Sequence, residues 1–334
     1  MESILLTTKK KQTWSGTQVN YKFEQEKIYV LDLEVTSTES NSLLEIIYPT
    51  KSREALVQSI IVNEQARHRI LFSPYSKENI LEFRMSSFGD YSVGCITINI
   101  ENIKEISTKN SESLENSIKL LGPWFQQINL KQLKTKDISG KPLKTLQTNL
   151  LSAEMLHNHP IWIWEQFKED VPENLTGKKI LDIACNDGFY SFEMAKRGAT
   201  VIGFDNWYPN IVRAIFAKKI LNLQNVSFEY LDAKELGSVF SNQFDMVLCL
   251  GLLYHLDDPQ SMIDSVAKIT NLAYFETTAI LDYKKSELIK DDALTWDGYT
   301  PTIAWLIDAF KKSKFKSMKN INPGSSRAVF RVEK

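Results

Sequence analysis

Residues 179–205 read KILDIACNDGFYSFEMAKRGATVIGFD, and no other stretch restricts the fold as tightly. An apolar run from Lys179 to Ile183 leads through a turn into an amphipathic helix, and a second apolar run closes on Asp205. Strand, helix and strand in that order predict the opening βαβ unit of a parallel sheet that binds a nucleoside. Gly188 ends the turn Ala184-Cys185-Asn186-Asp187-Gly188, where a missing side chain permits left-handed backbone angles and close approach. Asp205 falls about 20 residues on, the place where a carboxylate accepts both hydroxyl protons of a ribose. An adenosyl cofactor is therefore expected.

The turn also says which cofactor. Dinucleotide sites use several glycines so that backbone amides reach a pyrophosphate, whereas Ala184 and Asn186 stand where such glycines fall. S-adenosylmethionine carries no phosphate; its carboxylate can meet the amides of the turn while Asp182 or Asp187 accepts from its ammonium. A carboxylate aimed into the turn repels a pyrophosphate and attracts an ammonium.

Val226 to Asp232 reads as a third strand, with Asp232 placed to take the adenine amino group. Phe244 to His255 reads as a fourth strand, apolar enough to be buried on both faces and ending in Tyr254 and His255. Ligands of open α/β sheets bind at the carboxyl edge, so both rings are expected to face the reactive end of the cofactor.

The segments LDIACNDGFYSFEMAKRGA and FDMVLCLGLLYHLDDP resemble the class I methyltransferases grouped with the tRNA wobble-uridine (carboxy)methyltransferases and their relatives. The resemblance extends upstream to Gly122-Pro123-Trp124-Phe125-Gln126-Gln127-Ile128 and the Trp162/Trp164 pair. Downstream it takes in Phe275-Glu276-Thr277 and 296–302, and so covers about the last two-thirds of the chain. Ala184 replaces the usual glycine, which the turn tolerates if its φ is negative. Phe125, Gln126 and Ile163 stand where the carboxymethyl branch carries basic residues, so a carboxylated cofactor would lack its counter-charge. Ordinary S-adenosylmethionine is the better match. The resemblance supports the position of the Tyr254-His255 pair without fixing its role.

The candidate cofactor-binding residues are Asp182, Ala184, Cys185, Asn186, Asp187, Gly188, Asp205, Asn206, Asp232, Ala233 and Leu250, with Trp124 as a cap. The candidate catalytic residues are His255 and Tyr254. A hydroxyl acceptor must lose its proton, and histidine has the unperturbed pKa nearest neutrality. The alternative for His255 is a hydrogen bond to the loop 257–259. Phe189, Tyr190 or Tyr254 can stabilise a sulfonium through an aromatic face, although Phe189 and Tyr190 equally fit a helix core. An insert from Thr278 to Thr300 holds Trp296 and Tyr299, candidate substrate contacts on a lid or a static loop.

From Thr13 to Glu105 the pattern changes to short β-branched and aromatic runs, 28–35, 43–48, 80–85 and 94–100, between turn clusters. These predict an antiparallel, jelly-roll-like β-sandwich, either an assembly element or a carbohydrate-binding domain. The expected organisation is a sandwich over 1–106, a linker and cofactor-pocket cap over 107–159, and a Rossmann-like methyltransferase domain over 160–334. A net charge of −1 and only two short lysine clusters, 9–11 and 311–316, argue against nonspecific binding to RNA phosphates. Three scattered cysteines and four histidines form no metal pattern. With no secretory segment and no long apolar run, the chain reads as cytoplasmic and free of membrane. Nothing in the sequence sets an oligomeric state.

The leading reading is O-methylation of a hydroxyl on a glycan or other small molecule. A tRNA wobble uridine is the alternative acceptor, an idle cofactor-binding module with a useful sandwich is another, and a nicotinamide oxidoreductase is disfavoured by the turn.

Overall fold

The computed structural model describes residues 2–50, 53–106, 111–122, 124–126, 128–132, 145–147, 159–241, 244–290 and 298–334. The chain divides into two compact units: Met1–Pro123 with Trp207–Phe216, and Trp124–Asn206 with Ala217–Lys334.

The first unit is an eight-stranded antiparallel sandwich. Its strands are β1 (Glu2–Thr8), β2 (Trp14–Gln18), β3 (Tyr29–Ser37), β4 (Ser42–Pro49), β5 (Glu54–Val62), β6 (Ala66–Phe72), β7 (Glu82–Ser86) and β8 (Gly94–Glu105). One sheet has the order β1-β8-β3-β6 and the other β2-β7-β4-β5, the jelly-roll arrangement the sequence predicts. Alternation fills the core: Leu31, Leu33 and Val35 of β3 and Leu44, Ile46 and Tyr48 of β4 are fully buried. Four of the strands, β1, β2, β5 and β6, lie outside the predicted runs. Helix α1 (Ser111–Leu121) follows β8.

The second unit opens with a two-stranded ribbon, β9 (Asn129–Gln132) and β10 (Thr145–Gln147), and helix α2 (His159–Phe167). The parallel core then runs β11 (Lys179–Ile183), α3 (Phe189–Lys196), β12 (Thr200–Asp205), α4 (Tyr208–Leu221), β13 (Val226–Tyr230), α5 (Leu236–Val239), β14 (Met246–Leu250), α6 (Pro259–Ile269) and β15 (Leu272–Thr278). A hairpin of β16 (Leu288–Lys290) and β17 (Tyr299–Pro301) precedes α7 (Ile303–Lys312), β18 (Ser317–Asn320) and β19 (Arg327–Glu333). The seven-stranded sheet has the order β13-β12-β11-β14-β15-β19-β18, with β19 antiparallel to both of its neighbours.

Strand order reverses between β11 and β14, which makes the carboxyl ends of those two strands the switch point where open sheets bind ligands. Every residue of β14 is buried, as a strand covered on both faces must be. The predicted fourth strand is nevertheless too long. It ends at Leu250, Gly251 turns the chain at φ 76°, and Tyr254 and His255 lie in a 3₁₀ turn, Leu253–His255. Local caps fix the flanking helices: Asp258 accepts from the Ser261 amide at the start of α6, and Thr302 from the Trp305 amide at the start of α7.

The first turns of α4 belong to the sandwich unit, where the Tyr208 ring is buried with Tyr48, Phe72 and Tyr75. Its hydroxyl donates to the Ser73 carbonyl at 2.6 Å and accepts from the Ser73 amide at 3.4 Å. Contiguous division of the sequence does not anticipate this assignment.

Candidate active site

The turn after β11 is built from alternating left-handed residues. Ala184 has φ 54°, Asn186 φ 53° and Gly188 φ 94°. The negative φ that would make Ala184 easy to tolerate is not what the turn adopts: it needs the left-handed region there, and the methyl group carries the strain. The Cys185 amide donates to the Phe204 carbonyl at 2.9 Å, and the Asn186 amide to Asp205 Oδ2 at 3.0 Å, so the turn is tied to the end of β12. Asn186 Oδ1 in turn accepts from the Asp187 amide at 2.8 Å. A Cβ on Gly188 would meet Phe228 at 2.8 Å and Phe192 at 2.9 Å, so space as well as backbone angle requires glycine.

The two acids near this turn have different partners. Asp182 is only 1% exposed and accepts from Ser191 Oγ at 2.6 Å. Burial pushes its carboxyl up to about 7 despite that hydrogen bond, and the nearby Asp205 adds to the rise. Asp187, fully buried, accepts through Oδ2 from the Phe125 and Gln126 amides at 2.7 and 3.0 Å. The sequence offers it for a cofactor ammonium; the structure gives that oxygen to the upstream segment. Gln126 Oε1 completes the clasp by accepting from the Phe189 amide at 2.8 Å, which caps α3 where Gly188 offers no side chain. Trp124, beside this clasp, is completely buried. Cys185 is buried too, and burial raises its thiol pKa far above the usual range, so it is a packing residue of the turn rather than a nucleophile.

Asp205 closes β12 and Asn206 follows it, exposed. Past β13, Asp232 caps a short 3₁₀ turn by accepting from the Lys234 amide at 2.8 Å, and Ala233 is buried behind it. Thus two carboxylates stand at consecutive strand ends beside the turn.

On the other side of the switch point, Leu250 ends β14 and the Tyr254 and His255 rings lie 4.2 Å apart. Partial burial and the charge of Arg327 lower the His255 pKa, which favours the neutral imidazole. Phe189 and Tyr190 are both buried, their rings 5.2 Å apart. Of the paired tryptophans, Trp164 is buried under Arg197 and Trp162 is exposed. Tyr299 begins β17, and the adjoining Gly298 lies so close to Tyr254 that a Cβ there would collide with the Tyr254 carbonyl. The described part of the insert thus packs against the candidate catalytic turn. Trp296 lies outside the described residues.

Two further residues meet at this edge, Glu276 of the Phe275-Glu276-Thr277 segment and Arg327, which belongs to no motif. Glu276 of β15 accepts from Arg327 Nη2 at 2.8 Å, and Arg327 Nη1 donates to Thr278 Oγ1 at 2.8 Å. The Nε and Oε1 atoms approach to 2.6 Å but too far off line for a hydrogen bond. The pairing of β15 with β19 brings them together, a long-range register that no local pattern in the sequence reveals.

This donor set fits S-adenosylmethionine. Asp205 suits a ribose diol, Asp232 an adenine amino group, and the acidic turn suits an ammonium better than a pyrophosphate. Among the described residues no group of three or more metal-ligating side chains occurs, and no helix is long and apolar enough to cross a membrane.

Residues 174–314 match the methyltransferase-domain family, and this part of the chain is a class I, S-adenosylmethionine-dependent methyltransferase domain. The chain is similar to a ubiquinone biosynthesis O-methyltransferase of Psychrobacter arcticus, 26% identical over 170 residues, which are 51% of this chain and 63% of that protein. It is also similar to the protein of the same name from Pseudomonas fluorescens, 40% identical over 90 residues, 27% of this chain and 38% of that one. The chain thus spans less than two thirds of the length of these relatives. Among solved structures, the N-terminal domain of EvdMO1 with SAH bound aligns with a TM-score of 0.49 and 19% identity, over 67% of this chain and 94% of that one.

Proposed function

We propose that the chain is an O-methyltransferase acting on a hydroxyl of a glycan or another small molecule. The observation that carries this reading is the placement of His255, with its pKa depressed, at the carboxyl edge of the strand next to the acid-lined turn. Both named relatives are called O-methyltransferases, which supports oxygen as the acceptor atom. Asp205 and Asp232 would hold the adenosine, with Ala184, Cys185, Asn186, Gly188, Asn206, Ala233 and Leu250 around it. Of the two acids near the turn, Asp182 is the one proposed for its ammonium.

When bound, S-adenosylmethionine supplies an electrophilic methyl group on a sulfonium. The protein must align the acceptor oxygen with that methyl at about 3 Å and take the hydroxyl proton as the C–O bond forms and the methyl–sulfur bond breaks, which would leave S-adenosylhomocysteine. His255 is the proton acceptor and Tyr254 its ring partner. Tyr299 lies on the segment that reaches the acceptor. The sandwich over 1–106 serves recognition of a carbohydrate or assembly, and 160–334 carries the transfer; most of the linker and cap expected over 107–159 lies outside the described residues. A tRNA wobble-uridine acceptor, which the sequence resemblance allows, is the second reading; a net charge of −1 gives it no electrostatic support.

A labelled-methyl screen over sugars, nucleotide sugars and bulk tRNA tests the acceptor class. Label in the small-molecule pools supports the first reading, and label confined to tRNA replaces it with the second. Once an acceptor is found, His255→Gln should lower turnover about 10²-fold or more with cofactor affinity retained. Undiminished turnover removes His255 from the mechanism.

A further inference from the structure

The Glu276 and Arg327 side chains are 1% and 19% exposed, deep enough that removing two charges from water is costly and attraction alone returns little net stability. What Arg327 touches gives the pair a use. Its guanidinium is anchored on one side by Glu276 and Thr278. On the other it lies 4.9 Å from the centre of the Tyr254 ring, with Nη2 3.5 Å from the phenolic oxygen. A cation held over a ring face fixes that ring's plane, and the Tyr254 ring in turn lies 4.2 Å from the His255 imidazole. Gly251, at φ 76°, faces the same three groups. A Cβ there would point among Tyr254 Oη, Glu276 Oε2 and Arg327 Nη2, all within 3.6–3.9 Å.

We infer that the Glu276–Arg327 pair positions the Tyr254–His255 rings at the acceptor end of the site, making Arg327 a positioning residue for the imidazole that accepts the proton. The inference rests on the proposed function only in taking His255 as the base. The elements packed against the turn that carries His255 are β15, which holds Glu276, β17, which holds Tyr299, and α6, preceded by Asp257 and Asp258, while Arg327 of β19 reaches the Tyr254 ring. Arg327 is the cation of that set, and its charge opposes a second positive charge on the imidazole. Glu276 limits this effect by pairing with Arg327, so the two residues act on His255 with opposite sign.

The test is an NMR titration of the imidazole resonances in the full chain, with His255→Gln to assign the signal and calorimetric binding of S-adenosylhomocysteine as the control. Arg327→Gln should move the His255 midpoint to higher pH, Glu276→Gln to lower pH, and Arg327→Lys should restore it toward the wild-type position. Binding of S-adenosylhomocysteine should stay within about threefold of wild type in each, because these side chains lie outside the cofactor set. If Arg327→Gln does not fold, the Glu276→Gln and Arg327→Lys titrations decide. A His255 midpoint indifferent to the variants that fold overturns the inference, as does loss of cofactor binding in step with the midpoint. Failure of the wild-type protein to bind S-adenosylhomocysteine would instead overturn the proposed function and leave the titrations interpretable.

Discussion

Gly188→Ala should be among the most damaging single-methyl additions in the chain. The residue sits at φ 94°, where an L side chain costs about 1–2 kcal/mol. The new Cβ would also lie 2.8 Å from Phe228 Cζ and 2.9 Å from Phe192 Cζ. Those two rings are packed edge to face with centroids 5.5 Å apart, so neither can retreat without disturbing the other. Overpacking of this kind costs about 1–3 kcal/mol, while the stiffer unfolded chain returns about 0.5–1 kcal/mol. The net loss is then about 1–4 kcal/mol, read as a lower urea midpoint at unchanged slope. Ala184→Gly is the control with the opposite sign. Relief of the left-handed strain at φ 54° slightly exceeds the added unfolded-state entropy and the lost methyl burial, for a gain between zero and about 1 kcal/mol. Gly188→Ala within 1 kcal/mol of wild type, or Ala184→Gly destabilised by more than that, would refute the description of the turn.

Asp182 sets a pH dependence in the cofactor-free protein. Its folded pKa of about 7 exceeds the unfolded value of about 3.9, so its contribution is full below about pH 4 and is lost as pH rises through 7, by at most about 4 kcal/mol. Asp182→Asn keeps an acceptor for Ser191 and should flatten the stability profile between those values; an unchanged slope contradicts the assignment. Tyr208→Phe should cost about 1–3 kcal/mol in chemical denaturation, because the buried Ser73 carbonyl and amide lose their partner; a loss below about 0.5 kcal/mol would deny that hydrogen bond any role. Asp187→Ala strands the Phe125 and Gln126 amides and should destabilise by about 1–3 kcal/mol while making 124–126 more open to proteolysis. Unaltered cleavage would show that the clasp does not hold that segment.

The nucleoside half of the sheet was legible because its signals are local. Strand β11 and helix α6 occur at the predicted residues, since a short apolar run buried on both faces and an Asp-Pro cap are visible without knowing any partner. The sandwich was legible as a class but only half of its strands were. β2 is short and polar, β6 carries Arg67, His68 and Arg69, and β5 exposes Leu56 and Ile61 at 39% and 53%, so none reads as a clean alternating run. Strand β18, Ser317–Asn320, is a polar edge strand that only its pairing with β19 defines. In the site, the strand-end carboxylates could be read from spacing. The partners of Asp187 lie more than sixty positions upstream, and Arg327 meets Glu276 fifty-one positions away, so only the folded chain discloses them. At Ala184 the residue type pointed away from the backbone angle that the turn requires.

The most direct test of the account is calorimetric titration of the purified chain with S-adenosylhomocysteine, beside NAD, in wild type and Asp205→Ala. Saturable one-to-one binding of the sulfur nucleoside, weakened about 10–100-fold by loss of the charged hydrogen bonds from Asp205, with no heat from NAD, is the predicted result. No binding, a preference for the dinucleotide, or an affinity indifferent to Asp205 would contradict it.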